Sequence, residues 1–373
     1  MTAKIALVAN TAWYLQNFRR TLIRRLQEEG YSVITIAPPD EYVPELRALG
    51  AEFHGVPMDS KGANPLADFR LAMSLRRLFQ DERPACVLTF TVKPNVFGTF
   101  AATSLGIPVV SNVSGLGTAF IRKNWITMVV KSLYRAALRR AATVFFQNPD
   151  DLQLFLQHRL VPASKARLLP GSGVNVDHFA PMPAQRDPSA PFRFLLLGRL
   201  LWDKGIGEYV EAARQLRPRH PGTEFMLMGF AETENRTAIP MNTIQAWVNE
   251  GLIKYLPPAL DVRPALAASD CVVLPSYREG TPRSLLEASS MAIPIITADV
   301  PGCRQVIEDG VTGYLAKVRD AGDLAEKMER MVPLPDEART AMGRRGREKM
   351  ILEYDERIVM DAYLRAVKEF ALT

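Results

Sequence analysis

The residues best suited to chemistry lie in the second half of the chain. Glu279 and Glu287 stand eight positions apart in Ser276-Tyr-Arg-Glu-Gly-Thr-Pro-Arg-Ser-Leu-Leu-Glu287, with Gly280 and Pro282 between them. An apolar run, Cys271-Val-Val-Leu-Pro275, precedes the stretch, and Ile293-Pro-Ile-Ile-Thr297 follows it. Glu279 is therefore expected in a loop at the carboxyl end of a strand. Glu287 is expected about one turn inside the next helix. Open parallel α/β sheets bind ligands at that edge, and amides at a helix start attract anions. Earlier, Leu197-Gly-Arg-Leu-Leu-Trp-Asp-Lys204-Gly205 follows another apolar run. Gly198 lets the backbone turn at the strand end. Arg199 offers a planar fork suited to phosphate oxygens, and Lys204 a point charge. Two cations at a strand-to-helix turn make a candidate diphosphate site.

Such residues need a scaffold that delivers strand ends to one edge. Ile5–Ala9, Ser32–Ile36, Cys86–Phe90, Pro108–Ser111 and Thr143–Phe146 read as strands. Between the first two, Phe18, Leu22, Ile23 and Leu26 share one helical face, and Gly30 stops the helix. Strands alternating with helices indicate parallel βαβ units with both sheet faces covered. Around Ala180–Pro191 four prolines in twelve residues and no apolar period mark a linker. The alternation restarts at Phe192–Leu197. Two Rossmann-like domains are expected, 1–184 and 185–354, with a C-terminal helix over 355–373 that can pack on either.

The 373 residues, 47% hydrophobic and 23% charged, fit two globular domains. The three cysteines, Cys86, Cys271 and Cys303, have no metal-ligand spacing. That argues against a disulfide framework and fits a reducing compartment. The N-terminus enters a strand without a signal-peptide layout, and no apolar run reaches membrane-spanning length. The net charge of +6 is uneven: residues 1–185 carry +8 and the remainder −2. No acidic residue occurs between Glu82 and Asp150. A basic half implies an anionic partner, such as a membrane surface, nucleic acid or phosphorylated substrate; solubility alone is the plainer explanation.

Residues 192–320 resemble the donor domain of retaining family 4 glycosyltransferases, which have the GT-B fold, two Rossmann-like domains facing across a cleft. The matching residues are Gly198-Arg199…Lys204-Gly205, Ala268–Ser276, Glu279 to Glu287, Pro294–Gly302 and Glu308-Asp-Gly-Val-Thr-Gly313. The first half resembles acceptor domains of the subset acting on lipid-linked saccharides in surface polysaccharide assembly. It does so through Trp13-Tyr-Leu-Gln-Asn-Phe-Arg19, Lys93-Pro-Asn95 and Gly115-Leu-Gly117. The resemblance implies that Arg199 and Lys204 hold the donor diphosphate and stabilise its departure. It implies that Glu287 accepts ribose hydroxyls and that Glu279 lies beside the donor sugar. It also implies that amides near Gly280, Thr281 and Arg283 reach sugar hydroxyls or phosphate. Fixed cations and helix-end amides are electrostatic preorganisation. This needs no metal or other cofactor, and the chain has no Asp-x-Asp pair to hold one. Retention by a same-face departure and attack is favoured over a covalent glycosyl-enzyme, because no acceptor-domain carboxylate presents itself as nucleophile.

The chain departs from that pattern in three places. Relatives often carry a histidine at the sugar site, where this chain reads Asn112-Val-Ser114-Gly115. Asn10-Thr11-Ala12 replaces a double glycine near the phosphates. The base-binding segment reads Ile253-Lys-Tyr-Leu-Pro257-Pro258, without the usual glycine. The acceptor or sugar side is thus assigned to Asn10, Lys93, Asn112, Ser114 and Gly115. None of the four histidines, His54, His158, His178 and His220, has a catalytic context.

In the acid-free stretch, Lys131, Arg135 and Arg139 share one helical face, opposite Ile126, Val129, Val130, Leu133 and Ala137. A core helix with a solvated basic face has this pattern. The sharper reading adds Arg122, Lys123 and Trp125 and lets the face meet anionic headgroups or an acceptor diphosphate. Nucleic acid is not an expected partner, since no binding motif accompanies the charge. The expectation is a cytoplasmic transferase on the inner face of the cytoplasmic membrane. It would move sugar from a nucleotide donor, a uridine one, to a lipid-linked saccharide. The alternatives are a soluble transferase with a small sugar-phosphate acceptor and a non-catalytic nucleotide-sugar-binding subunit.

Overall fold

The computed structural model describes residues 2–59, 64–115, 125–182, 190–230, 235 and 237–371; the side chains of 125–127 and 371 fall outside that description. The chain forms two compact units: Met1–Ser172 with Arg357–Thr373, and Gly173–Glu356.

The first unit contains strands β1 (Lys4–Val8), β2 (Ser32–Ala37), β3 (Glu52–Gly55), β4 (Cys86–Phe90), β5 (Val109–Val113), β6 (Thr143–Phe146) and β7 (Ala166–Leu168). They form one sheet in the order β3-β2-β1-β4-β5-β6-β7, parallel throughout. The order reverses at β1, so β1 and β4 flank a topological switch point. In β1, Ile5 and Leu7 pack into one layer with Leu15, Leu22 and Leu26. Ala6 and Val8 pack into the other with Leu71, Leu75 and Phe79. Alternate residues of a strand point to opposite faces, so a strand covered on both sides must be apolar throughout.

The helix Ala12–Glu28 starts where Thr11 accepts a hydrogen bond from the Tyr14 amide. It stops before Gly30, whose φ of +86° ends the turn at no steric cost. The C-terminal helix Glu356–Ala371 joins this unit rather than the second. Its stripe of Val359, Tyr363 and Val367 is buried beside Leu22 and Phe90.

The second unit contains β8 (Phe192–Leu197), β9 (Thr223–Met228), β10 (Lys254–Leu256), β11 (Cys271–Leu274), β12 (Ile295–Ala298) and β13 (Gly313–Ala316). Their order is β10-β9-β8-β11-β12-β13, again all parallel, with the reversal between β8 and β11. The division between units falls before the proline-rich stretch, not at 184/185. Val174, Val176 and Phe179 are buried in the second unit's core and so belong to it. The chain's two crossing points lie side by side. Val174 pairs with Asp355, and Gly173 approaches so closely that a Cβ there would lie 2.5 Å from the Cα of Glu356. Among the described residues no helix is long and apolar enough to cross a membrane.

Candidate functional site

The switch point of the second sheet brings the predicted cation and carboxylate together. After β8 the chain turns at Gly198, whose amide bonds to the Met228 carbonyl at 3.0 Å. A short turn, Trp202–Lys204, leads to Gly205 and the helix Ile206–Leu216. Gly205 has φ +72°, and a Cβ there would lie 2.2 Å from the Pro275 carbonyl oxygen. Only glycine lets the loop after β8 lie against the loop after β11. In that contact the Lys204 ammonium donates to Glu279 Oε1, and Ser276 Oγ donates to the same oxygen at 2.7 Å. The Lys204 and Glu279 side chains are 16% and 14% exposed: near enough to solvent for a ligand, enclosed enough for the charges to matter.

The Glu279 loop is held on both sides. Glu279 donates its amide to the Pro301 carbonyl at 3.2 Å, and Tyr277 donates its own to Asp203 at 2.9 Å. The Tyr277 hydroxyl donates to Glu208 at 2.8 Å, and Arg319 lies 4.3 Å over its ring. Burial, and then the Glu208 carboxylate, pushes the Tyr277 phenol up to about 12.

Glu287 lies in the helix Arg283–Ser290, whose start has no side-chain cap. Arg283, one turn earlier, pairs with it at 3.1 Å. Burial raises the Glu287 carboxyl above the usual range, and the Arg283 charge opposes that rise. Arg283 thus acts on Glu287 through its side chain, beyond the amide role expected for it. Arg199, Gly280 and Thr281 stand at the same sheet edge, half-buried; Thr281 Oγ1 donates to the Gly280 carbonyl at 2.8 Å.

The predicted residues of the first unit are more dispersed. Asn10 follows β1 and is half-buried at the β1/β4 switch point. Lys93, after β4, is already paired with Asp68 at 2.7 Å. Asn112 is not a surface residue. It is fully buried in β5, donating to the Tyr363 hydroxyl at 2.6 Å and accepting from Gln147 at 3.3 Å. It fastens the C-terminal helix to the sheet instead of facing a ligand. Ser114 and Gly115 continue past β5, Gly115 with φ +137°. Arg122 and Lys123 lie outside the described residues, as does the Trp125 side chain.

In the helix Trp125–Leu138, Arg135 is exposed and Lys131 half-buried; Arg139 is exposed just beyond its end. Met128 and Val129 are 71% and 47% exposed, so Val129 is not on the buried face expected for it; Tyr134 and Leu138 are. Among the described residues one cluster has metal-ligating groups, Glu52, His54 and Glu82. None of its three residues is among those predicted for the site, and Lys4 already neutralises Glu82 at 2.6 Å.

Sequence reasoning missed Ser276, Tyr277, Glu208, Asp68 and Tyr363 as partners. Ser276 and Tyr277 flank the glutamate motif and were findable there. The others lie on elements that only the strand order brings close.

Two Rossmann-like units, each with its strand order reversing at a switch point, have the architecture of the GT-B fold. Residues 182–349 match the family model of glycosyl transferases group 1, and residues 16–172 that of the glycosyl transferase 4-like domain. The chain belongs to this glycosyltransferase family. It is 27% identical, over 97% of both chains, to N,N'-diacetylbacillosaminyl-diphospho-undecaprenol alpha-1,3-N-acetylgalactosaminyltransferase of Campylobacter jejuni. It is 25% identical, over 79% of this chain and 78% of the other, to UDP-Gal:alpha-D-GlcNAc-diphosphoundecaprenol alpha-1,3-galactosyltransferase of Escherichia coli. Among solved structures, HepE of Anabaena in complex with UDP and glucose superposes with a TM-score of 0.81 at 15% identity, covering 98% of this chain and 99% of that one.

Proposed function

We propose that this glycosyltransferase moves a sugar from a nucleoside-diphosphate donor, a uridine one, to a saccharide carried on a lipid diphosphate, with retention and without a metal ion. The Lys204–Glu279 pair, held by Ser276 across the β8/β11 switch point, is the observation that carries the reading. Arg199 and Lys204 take the diphosphate, helped by the start of the helix Ile206–Leu216. Glu287, oriented by Arg283, accepts the ribose hydroxyls. Glu279 lies beside the sugar and fixes the lysine. As the anomeric C–O bond breaks, charge grows on the leaving phosphate oxygen opposite cations already in place. The acceptor hydroxyl attacks from the same face and passes its proton to that oxygen. Fixed cations supply the stabilisation a divalent ion would give.

Both relatives are named for alpha-1,3 transfer to diphosphoundecaprenol-linked sugars. An α product from a donor whose anomeric bond is α requires retention. The basic first half, with its exposed Met128 and Val129, suits an acceptor held at an anionic cytoplasmic membrane face. The test has two stages. Nucleotide sugars are screened for thermal stabilisation, since a ligand that binds the native state raises Tm. The best is then incubated with a lipid-diphosphate saccharide or with a sugar phosphate, and nucleoside diphosphate release is measured. Release driven by the first acceptor is expected; release driven only by the second would sink the lipid-linked reading.

A further inference from the structure

Arg19 lies within the helix Ala12–Glu28 with none of its surface exposed. Helical side chains lean toward the helix N-terminus, and this one reaches the carboxyl edge of the first sheet. Its guanidinium carbon is 4.3 Å from the ring centre of Phe90, the last residue of β4. The rings of Tyr14 and Tyr363 enclose it at 5.5 and 5.8 Å. One Nη donates to the Tyr14 hydroxyl at 2.9 Å, while Nε and the other Nη have no hydrogen-bond partner among the described residues. Among the described residues no carboxylate pairs with it. The stretch that supplies β4 and β5 has no acidic residue between Glu82 and Asp150. Gln16, one turn earlier, also leaves Oε1 unpaired. An amide oxygen could take a hydrogen bond, but it brings no charge.

A buried cation without a counter-ion is costly. Ring stacking returns only about 0.5–2 kcal/mol. If packing were the whole role, methionine would serve as well without the penalty. The charge is therefore held for something the described residues do not supply. Its surroundings indicate where that partner enters. Thr91, next after Phe90, holds φ +70° and has a buried hydroxyl without a partner. A β-branched residue in that region is strained, and such strain persists mainly at functional sites. Thr91 also stands at the β1/β4 switch point, the edge where sheets of this kind take ligands.

We propose that Arg19 is the anion receptor of the first unit. It binds a phosphate-type group of the acceptor that enters at the β1/β4 edge when Tyr14, half-buried beside it, turns aside. This rests on the reading that the acceptor carries a diphosphate. The two unpaired N–H groups then gain a charged acceptor, the strongest kind of hydrogen bond available to a guanidinium.

The test uses the full-length protein with Arg19→Met, which keeps the volume, and Arg19→Lys, which keeps the charge without the fork. Wild type is first assayed with a lipid-diphosphate acceptor, with inorganic pyrophosphate as competitor. Expected for Arg19→Met are a Tm at or above wild type, an acceptor KM at least tenfold higher and a donor KM within twofold. Arg19→Lys falls between, and pyrophosphate competes with the acceptor more weakly in both variants than in wild type. An acceptor KM within twofold of wild type in Arg19→Met overturns the inference. So does an Arg19→Met chain that unfolds, because the guanidinium is then structural. Wild type that turns over no diphosphate acceptor removes the underlying reading, and the inference with it, before any variant is compared.

Discussion

The Lys204 ammonium and the Glu279 carboxylate meet across 75 residues of sequence, one after β8 and the other after β11. Neither loop could present the pair alone. Adjacency of β8 and β11 at the switch point creates it, and Ser276 fixes which carboxylate oxygen receives the lysine. If this pair faces the departing diphosphate, Lys204→Ala and Glu279→Gln should each lower kcat by about a hundredfold to a thousandfold, the scale of one lost preorganised contact. Steady-state kinetics with the best donor, and circular dichroism to confirm folding, check this. Near-normal turnover in both variants would remove the pair from the reaction.

The same pair makes a stability prediction. Both side chains are largely enclosed, so deleting one leaves an unneutralised charge on the other. Lys204→Ala combined with Glu279→Ala should cost less than the sum of the single changes. Urea denaturation of the four proteins in a double-mutant cycle measures that difference. Strict additivity would mean that the two groups do not interact in solution.

Glu287 predicts a pH dependence. Burial raises its folded-state pKa above the ordinary carboxyl value. Ionised Glu287 therefore costs folding stability at neutral pH, and the cost is relieved as pH falls through the raised pKa. If Glu287 holds the ribose as proposed, donor binding should follow the opposite trend, because the carboxylate is the better acceptor for hydroxyls. Donor KM should rise as pH falls toward that pKa, and Glu287→Gln should flatten this limb while raising KM at neutral pH. A Glu287→Gln variant with the wild-type pH profile would assign the limb to another group.

Gly302 holds the Glu279 loop from below. It has φ +83°, and a Cβ would lie 2.4 Å from the Gly280 carbonyl oxygen and 2.5 Å from that of Glu279. Gly302→Ala should therefore displace the loop, lowering stability by about 1–3 kcal/mol and kcat as well. Gly310 is the control. Its φ of +75° is similar, but a Cβ there meets nothing within 4 Å. Gly310→Ala should lose stability through the backbone alone and keep its turnover. Equal kcat losses in both variants would mean that loop position is not the cause.

The fold was legible because buried parallel strands must be apolar on both faces, as in Ile5–Val8 and Cys271–Leu274, and because Gly30 and Gly205 mark ends that need positive φ. Lys204 and Glu279 could each be assigned to a strand end from local sequence. Their contact could not, since it depends on which strands are neighbours. Asn112 shows the limit most clearly. An asparagine after an apolar run suggests a substrate contact, yet its partner is Tyr363, 251 residues away on a helix whose stripe fits either unit. Val129 shows another: in a helix rich in apolar residues the period does not select one buried face, and here Tyr134 and Leu138 occupy it.

That exposed end of the helix Trp125–Leu138 makes the last prediction. Met128 and Val129 face solvent on the element that carries Lys131 and Arg135. Each basic residue near an anionic surface contributes about 1 kcal/mol, and the attraction fades as salt shortens its range. Apolar insertion, in contrast, is insensitive to salt and to headgroup charge. Flotation should therefore recover more protein with anionic than with neutral liposomes, and less as salt rises. Arg135→Glu with Arg139→Glu should remove the anionic preference. Met128→Ser with Val129→Ser should lower recovery on both lipids and leave the preference in place. Equal recovery of wild type with and without anionic lipid would exclude this face as the membrane contact and leave its charge to solvation alone.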